Sequence, residues 1–510
     1  MLTPERIHKT RWWILLVLCL SLALVVLDNT VINVALPTLA QELGAGGTEL
    51  QWIVDAYVLV FGGLLLTMGA LGDRYGRRGA LQAGLIIIAG SSVAVLFATE
   101  ARHLLPVRAM MGVGAALVMP ATLSILTQVF PKEERGRAMG IWAAVAGVGG
   151  IVGLVIGGWL LEHFSWQSVF TLNVPIAAVA LVAGLFLLPR SRDERRSPLD
   201  PVGTVLSIVA LTSLLFAIIE GPAVGWAAAS VLVATVVALV AWPTFVWWER
   251  RTRFPMLPLG LFRDRGFAVG NLVIALAFLT IFAVFFAMTQ YLQFVRGYSP
   301  FDAGIRFLPM IAGMASTATQ SDRLARRIGT QRTVGAGLFL VTLALIGLSF
   351  VGIQTDYAFV ALGLLLLGAG MGAAMAPSTT IIMDAVPPEK AGVGSAMNDT
   401  SREVGAALGV AILGSTLNAV YSRALDIAAT LPTAVRDAAS QGIATAFMAA
   451  HRLPAPTGDA LRASASDAFV AALQVTYWAA AAVTFIGAII ALLTMPDRQA
   501  ARPKAHAVSV

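Results

Sequence analysis

Asp28 stands inside an apolar run, in Leu27-Asp28-Asn29-Thr30-Val31-Ile32-Asn33-Val34-Ala35-Leu36-Pro37, where a carboxylate is costly unless it faces water or a partner. In an outward-running helix over 12–36, a rise of 1.5 Å per residue places it roughly 12 Å below the outer end. Burial and a nearby cation pull the proton affinity of a carboxylate in opposite directions. That balance suits a group which takes and releases protons, although a fixed hydrogen-bond network would also tolerate it. Arg108 enters an inward-running helix a few residues below the same face, followed by Gly112. An arginine stays charged and needs compensation inside a membrane, so Arg108 is expected to pair with Asp28. A permanent salt bridge, or snorkelling to the outer headgroups, is the reading without chemistry.

Further charges share this predicament. In Asn398-Asp399-Thr400-Ser401-Arg402-Glu403-Val404-Gly405 the spacing i, i+3, i+4 lets Asp399 face both Arg402 and Glu403. One acid can pair with Arg402, which leaves the other as a proton or cation site unless the three close into a structural triad. Asp55, in Gln51-Trp52-Ile53-Val54-Asp55, is either a cation-recognition acid or an interfacial acid near a helix N-terminus. The segment Gly69-Ala70-Leu71-Gly72-Asp73-Arg74-Tyr75-Gly76-Arg77-Arg78 reads as a tight turn. In it Asp73 accepts from arginines or from a helix N-terminus, as a gate or latch or merely an anchor. Gly149, Gly153 and Gly157 recur every fourth residue and permit close helix contact. They are read as a surface on which two halves pack and slide, or as packing alone.

The elements that must carry these groups are membrane helices. Of 510 residues 58% are hydrophobic and 12% charged, with a mean hydropathy of +0.81, beyond the range of soluble domains. Spans of the length a bilayer requires are predicted at 12–36, 50–72, 79–98, 104–127, 138–161, 167–188, 202–219, 227–248, 267–292, 302–319, 333–351, 357–380, 391–417 and 468–494. The first, with Asp28 and Asn33 inside it and no cleavage site after it, is a span and not a signal peptide. Fourteen spans put both termini on one side. Assigning that side to the cytoplasm gathers 26 of the 35 Lys and Arg there, a strong orientation signal. The net charge of +7 then belongs to a surface lined by anionic lipid, with no call for nucleic acid. Trp12, Trp13, Trp52, Trp166, Trp226, Trp247 and Trp248 fall near helix ends, as interfacial anchors do. The single Cys19 excludes a disulfide framework.

An internal repeat organises the chain. Pro131-Lys-Glu133-Glu-Arg-Gly136 is matched by Pro387-Pro-Glu389-Lys-Ala-Gly392 at an offset of 256, and Gly112-Val-Gly114…Pro120 is echoed by Gly370-Met-Gly372…Pro377. Asp73 to Arg78 has a degraded echo in Arg326 to Arg332. Four units follow: an N-terminal six-helix bundle over 1–190, inserted helices 7 and 8 with their linkers over 191–266, a C-terminal six-helix bundle over 267–496, and a tail over 497–510. The long outer loop 420–467 is expected to be partly helical and mobile. Repeated halves with a site between them are the architecture of secondary transporters. No Gly-Lys-Ser/Thr, His-Glu-x-x-His or Gly-x-Ser-x-Gly pattern is present, so neither ATP-driven transport nor hydrolytic enzymes of those types are indicated.

These motifs resemble those of the major facilitator superfamily, and within it the fourteen-helix drug:proton antiporters of the EmrB/QacA type. Residues 69–78 match the superfamily's Gly-x-Leu-Ala-Asp-Arg-x-Gly-Arg-Arg signature except for Gly72 at the alanine, and residues 27–37 match the fourteen-helix signature. Arg108 with Gly112 matches the fourth-helix element associated with proton transfer. Gly153-Leu154 departs from the Gly-Pro usual on helix 5, while Gly157-Gly158 follows as expected. The resemblance implies an all-α major facilitator fold, with Asp28 and Arg108 in proton coupling. It assigns gating to Asp73, Arg74, Gly76, Arg77 and the glycines 149, 153 and 157, and substrate contact to Asp28, Asp55, Asp399 and Glu403. The expected activity is proton-coupled efflux of lipophilic, cationic drugs across the inner membrane, with export of another small molecule as the alternative. The proton motive force would replace any cofactor or metal. Expected partners are drugs, protons and membrane lipids, with a periplasmic adaptor optional and the chain a monomer.

Overall fold

A computed structural model describes residues 4–43, 47–189, 200–427 and 431–497, and among them all regular structure is helical. The tail from 498 and the linker 190–199 lie outside the described residues. Helices dominate because hydrocarbon offers no hydrogen bonds, so each backbone segment must satisfy its own.

The N-terminal half contains α1 (Pro4–Glu42), α2 (Gly47–Tyr75), α3 (Arg77–Ala94), α4 (Ala101–Val129), α5 (Lys132–His163) and α6 (Asn173–Leu187). The inserted pair is α7 (Pro201–Val224) and α8 (Ala229–Arg251). The C-terminal half contains α9 (Arg265–Gln290), α10 (Leu308–Ile328), α11 (Thr330–Leu348), α12 (Tyr357–Asp384), α13 (Ala391–Leu408) and α14 (Ala455–Thr494). Twelve of the described helices are long and apolar enough to cross a membrane. α5 and α10 stand at the places of the predicted fifth and tenth spans. α10 is polar because Thr317, Thr319, Gln320, Ser321 and Asp322 interrupt its apolar residues.

One apolar core runs from Ile14 to Leu188 and takes in Ala318, Ala376, Met383 and Ala391 across the seam, and a second runs from Phe267 to Ala481. The inserted pair lies on α2 and on the start of α13, where Leu211, Phe245, Met256 and Leu257 cluster with Leu66, Val393 and Ala396. Asp200 caps α7 by accepting from Gly203 N at 2.8 Å, and it accepts the Trp248 indole N–H at 2.8 Å, which ties α7 to α8.

Three predicted details change. Trp13, Trp52, Trp226 and Trp247 are exposed as anchors should be, but Trp166 is buried against Phe170 and Trp248 turns inward to Asp200. Arg306, predicted inside the tenth span, instead occupies the joint between Pro300–Ile305 and α10, with its guanidinium over the Tyr298 ring at 3.5 Å. The outer loop 420–467 is largely helical and packed. Ser415–Ala424, Thr433–Ser440, Ile443–His451 and the start of α14 form a cap. Tyr421 donates to Ala439 O at 3.1 Å and Ser464 to Asp426 O at 2.6 Å, while Tyr421, Ile443, Ala446 and Leu461 are buried.

Candidate functional site

Asp28 is 4% exposed and its two oxygens are both engaged. Arg108 Nη1 donates to Oδ2 at 2.9 Å and Asn173 Nδ2 to Oδ1 at 2.7 Å, with Asn173 also reaching Ser92 Oγ at 3.3 Å. Arg108 is wholly buried, donates through Nε to Ile53 O at 3.1 Å, and lies 4.3 Å from the centre of the Tyr57 ring. The predicted pair therefore forms, and α1, α2, α3, α4 and α6 all contribute to its surroundings. The Tyr57 hydroxyl donates to Val25 O at 3.4 Å, so its ring lies between Arg108 and α1. Sequence reasoning missed Tyr57 and Asn173. Asn173, a polar residue at the outer start of an apolar span, was the available signal. Asp55 is buried on α2, two residues past Ile53.

At the seam, Arg402 of α13 is 2% exposed and lies 4.5 Å from the Trp142 ring of α5 and 5.2 Å from the Phe278 ring of α9. Asp399 is its ion-pair partner, at 4.0 Å. Glu403, half-buried one turn further out, is the acid that Arg402 does not reach at ion-pair distance. The spacing i, i+3, i+4 left open which acid would pair, and Asp399 takes the arginine. Trp142, fully buried, donates to Thr122 Oγ1 at 3.1 Å. It too was missed, because a tryptophan ten residues into a helix carries no pattern that distinguishes it from core.

The halves are tied together twice at the end where α2 joins α3 and α12 joins α13. Asp73 accepts from Gly392 N at 2.9 Å and Val393 N at 3.1 Å, the first turn of α13, where a carboxylate also meets the positive end of the helix dipole. Arg77 donates to Asp73 at 2.8 Å and to Pro388 O at 2.7 Å. Gly76 has φ 121°, the left-handed turn that joins α2 to α3. The Arg74 guanidinium lies over the Tyr75 ring at 5.4 Å. The second latch was hidden by the degraded echo. Arg326 donates to Asp322 at 2.7 Å and also to Glu133 O, and Asp322 lies against Gly136 at the start of α5. Gly136 and Glu133 are the repeat counterparts of Gly392 and Glu389. Arg135 adds an ion pair to Asp384 at 3.2 Å. At the α5 terminus the Arg11 guanidinium beside Glu134 holds that carboxyl below its ordinary range.

Gly69 is a point of close crossing between α2 and α13, since a Cβ there would stand 2.6 Å from the Gly392 carbonyl oxygen and 2.7 Å from Ala396 Cβ. Backbone cannot yield to such an overlap. Gly69→Val is therefore expected to hold the cytoplasmic end open. In a Cys19→Ser background, a cysteine placed at Ala143 should then react several-fold faster with a water-soluble maleimide added from the cytoplasmic side. An unchanged rate would show that this crossing does not control access.

The glycine face of α5 requires a correction. Gly149, Gly153 and Gly157 do not lie between the halves: they meet Val26, Thr30 and Val31 of α1, inside the N-terminal half. A Cβ at Gly149 would stand 2.9 Å from Val26 Cγ1. Gly405 and Gly409 of the C-terminal half meet Ala275 and Leu279 of α9 in the same way. Small residues at this spacing bring paired helices of one bundle together. A different face of α5 meets the other half, where Gly140 approaches the Ala318 backbone of α10.

Comparison with known proteins follows the same lines. Residues 18–410 match the Major Facilitator Superfamily. The chain is 36% identical over 488 residues to the multidrug efflux pump LfrA of Mycolicibacterium smegmatis, covering 94% of this chain and 96% of that protein. It is 35% identical over 465 residues to the methyl viologen resistance protein SmvA of Salmonella typhimurium, covering 90% and 93%. The crystal structure of the human organic anion transporter MFSD10 superposes with a TM-score of 0.60 at 16% identity, covering 94% of this chain and 98% of that one. At that identity the match shows the fold alone.

Proposed function

This chain belongs to the Major Facilitator Superfamily, and on that premise we propose that it exports lipophilic cationic drugs in exchange for protons, by alternating access of its two halves. The observation that carries the reading is the placement of the buried charges. A complete carboxylate–arginine pair, Asp28 with Arg108, lies inside one half, while Glu403 stands at the seam beyond ion-pair reach of any arginine among the described residues. Such a division separates a proton site from a cation site. Names of relatives support the substrate class, since LfrA is a multidrug efflux pump and SmvA confers resistance to methyl viologen.

The chain would span the inner membrane fourteen times with both termini in the cytoplasm, as the distribution of Lys and Arg favours. With the latches of Asp73 and Asp322 released, a cation enters from the cytoplasm or inner leaflet and meets Glu403 and Asp399. With the latches closed, protons arriving from outside neutralise acids and displace it. Protonation of Asp28 would loosen Arg108 and shift its charge toward Tyr57. Met314 and Met375, which line a cleft between the halves, adapt to varied apolar shapes.

Purified chain in proteoliposomes with an imposed proton gradient is expected to move ethidium or tetraphenylphosphonium against its own gradient, and a protonophore should stop it. Absence of gradient-dependent transport of every cation tried would overturn the proposal.

A further inference from the structure

We propose that Arg402 is a tethered stand-in for the substrate: in the empty carrier its guanidinium fills a box walled by Trp142 and Phe278 and bordered by Asp399 and Glu403, and a planar aromatic cation takes that place on binding. The inference rests on the reading of the chain as an exporter of cations and names the substrate subsite within it.

The three buried arginines of the core show why. Arg77 donates to a carboxylate at 2.8 Å and to a carbonyl at 2.7 Å, and Arg108 donates to a carboxylate at 2.9 Å and a carbonyl at 3.1 Å. These are charge-assisted contacts of ordinary length, which hold each of these two guanidiniums by directed bonds. Arg402 is as deeply buried, yet Nε, Nη1 and Nη2 all lack a hydrogen-bond partner, and its distance to Asp399 is 4.0 Å. Asp399 Oδ2 is also without a partner. What holds the guanidinium is a pair of aromatic faces at 4.5 and 5.2 Å. Attraction of a cation to a ring face does not depend on hydrogen-bond direction, so one cation can replace another without loss of specific bonds.

The box is also placed where a substrate must be sensed. Trp142 belongs to α5 of the N-terminal half and is fixed there by Thr122, whereas Arg402 and Phe278 belong to the C-terminal half. The occupant therefore bridges the seam. With both acids ionised, two carboxylates against one arginine leave the box net negative, which favours a second cation and the expulsion of the first. A guanidinium is planar, delocalised and weakly hydrated, so the cations best matched to its place are planar and delocalised too.

The test is equilibrium binding of ethidium to the full-length protein in detergent, read by fluorescence anisotropy, with thermal melting of each variant alongside. Removing the internal competitor should tighten binding, by about tenfold for Arg402→Gln, the order of one desolvated cation–π contact. Arg402→Lys keeps the charge and should not tighten it. Trp142→Leu should weaken binding by roughly tenfold on the same grounds, and in that background the gain from Arg402→Gln should shrink to about threefold, the part due to charge alone. Where Gln disturbs the fold, Arg402→Met, which keeps the apolar stem, should give the same gain. Binding that a folded Arg402→Gln or Arg402→Met variant leaves unchanged or weakens overturns this inference alone. A gain equal with and without Trp142 does so too, since it would be a charge effect only. Failure of the wild-type chain to bind any cation overturns the export reading and this inference with it.

Discussion

Asp28→Asn is expected to abolish proton-driven accumulation of substrate in inverted vesicles and to lower the melting temperature of the protein. Both effects have one source. The carboxylate is the anionic partner of the wholly buried Arg108, and removing one member of a buried pair leaves an uncompensated charge, a loss of about 3–5 kcal/mol. Stability and coupling can be separated by a double variant. Asp28→Asn with Arg108→Gln removes both charges, so most of the lost stability should return, while the proton site remains absent. The double variant should then melt near the wild type and still fail to concentrate substrate. If it concentrates substrate under a proton gradient, the pair is a structural clamp of α1 to α4 and proton coupling resides elsewhere.

The second large effect lies at the proposed latches of Asp73 and Asp322. Asp73 holds two backbone N–H groups of α13 and the Arg77 side chain, and hydrogen bonds to a charged group contribute roughly 1.5–3 kcal/mol each. Losing the equivalent of one of them shifts the closed-to-open ratio by about 10- to 100-fold. Asp73→Asn should therefore expose a cysteine at Ala143 to cytoplasmic maleimide, in the Cys19→Ser background, more than Asp322→Asn does. Asp322 supports its latch through Arg326, with no N–H of α5 bonded to it among the described residues. The double variant should label fastest and transport least. Equal labelling in all of them would mean that apolar packing, not these carboxylates, keeps the cytoplasmic end shut.

Much of this was legible before any tertiary structure. The Asp28–Arg108 pair followed from one constraint, that two opposite charges at similar depth in hydrocarbon must find each other, and it formed as expected. The repeat of Gly136 in Gly392 marked both latch sites. Asp322 escaped notice because its partner in the motif, Arg326, was aligned with Asp73 instead of Arg77. The spacing of four residues between acid and arginine, shared by both latches, was the signal that would have found it.

Sequence determined what is set by the solvent and by local spacing. Apolar length set the helices, the asymmetry of Lys and Arg favoured an orientation, and the repeat indicated two related halves, because each follows from transfer free energies or from the period of a helix. Tertiary structure decided which faces meet. Period alone gives Gly149, Gly153 and Gly157 one face of α5 but cannot say whether α1 or α10 lies opposite, and it was α1. The triad of Asp399, Arg402 and Glu403 likewise fixed three positions on one helix and left their pairing open. The arginine also meets Trp142, more than 250 residues away in sequence and brought within 4.5 Å of it by the packing of one half against the other. Contacts between halves depend on how two surfaces fit, and no local rule encodes that fit.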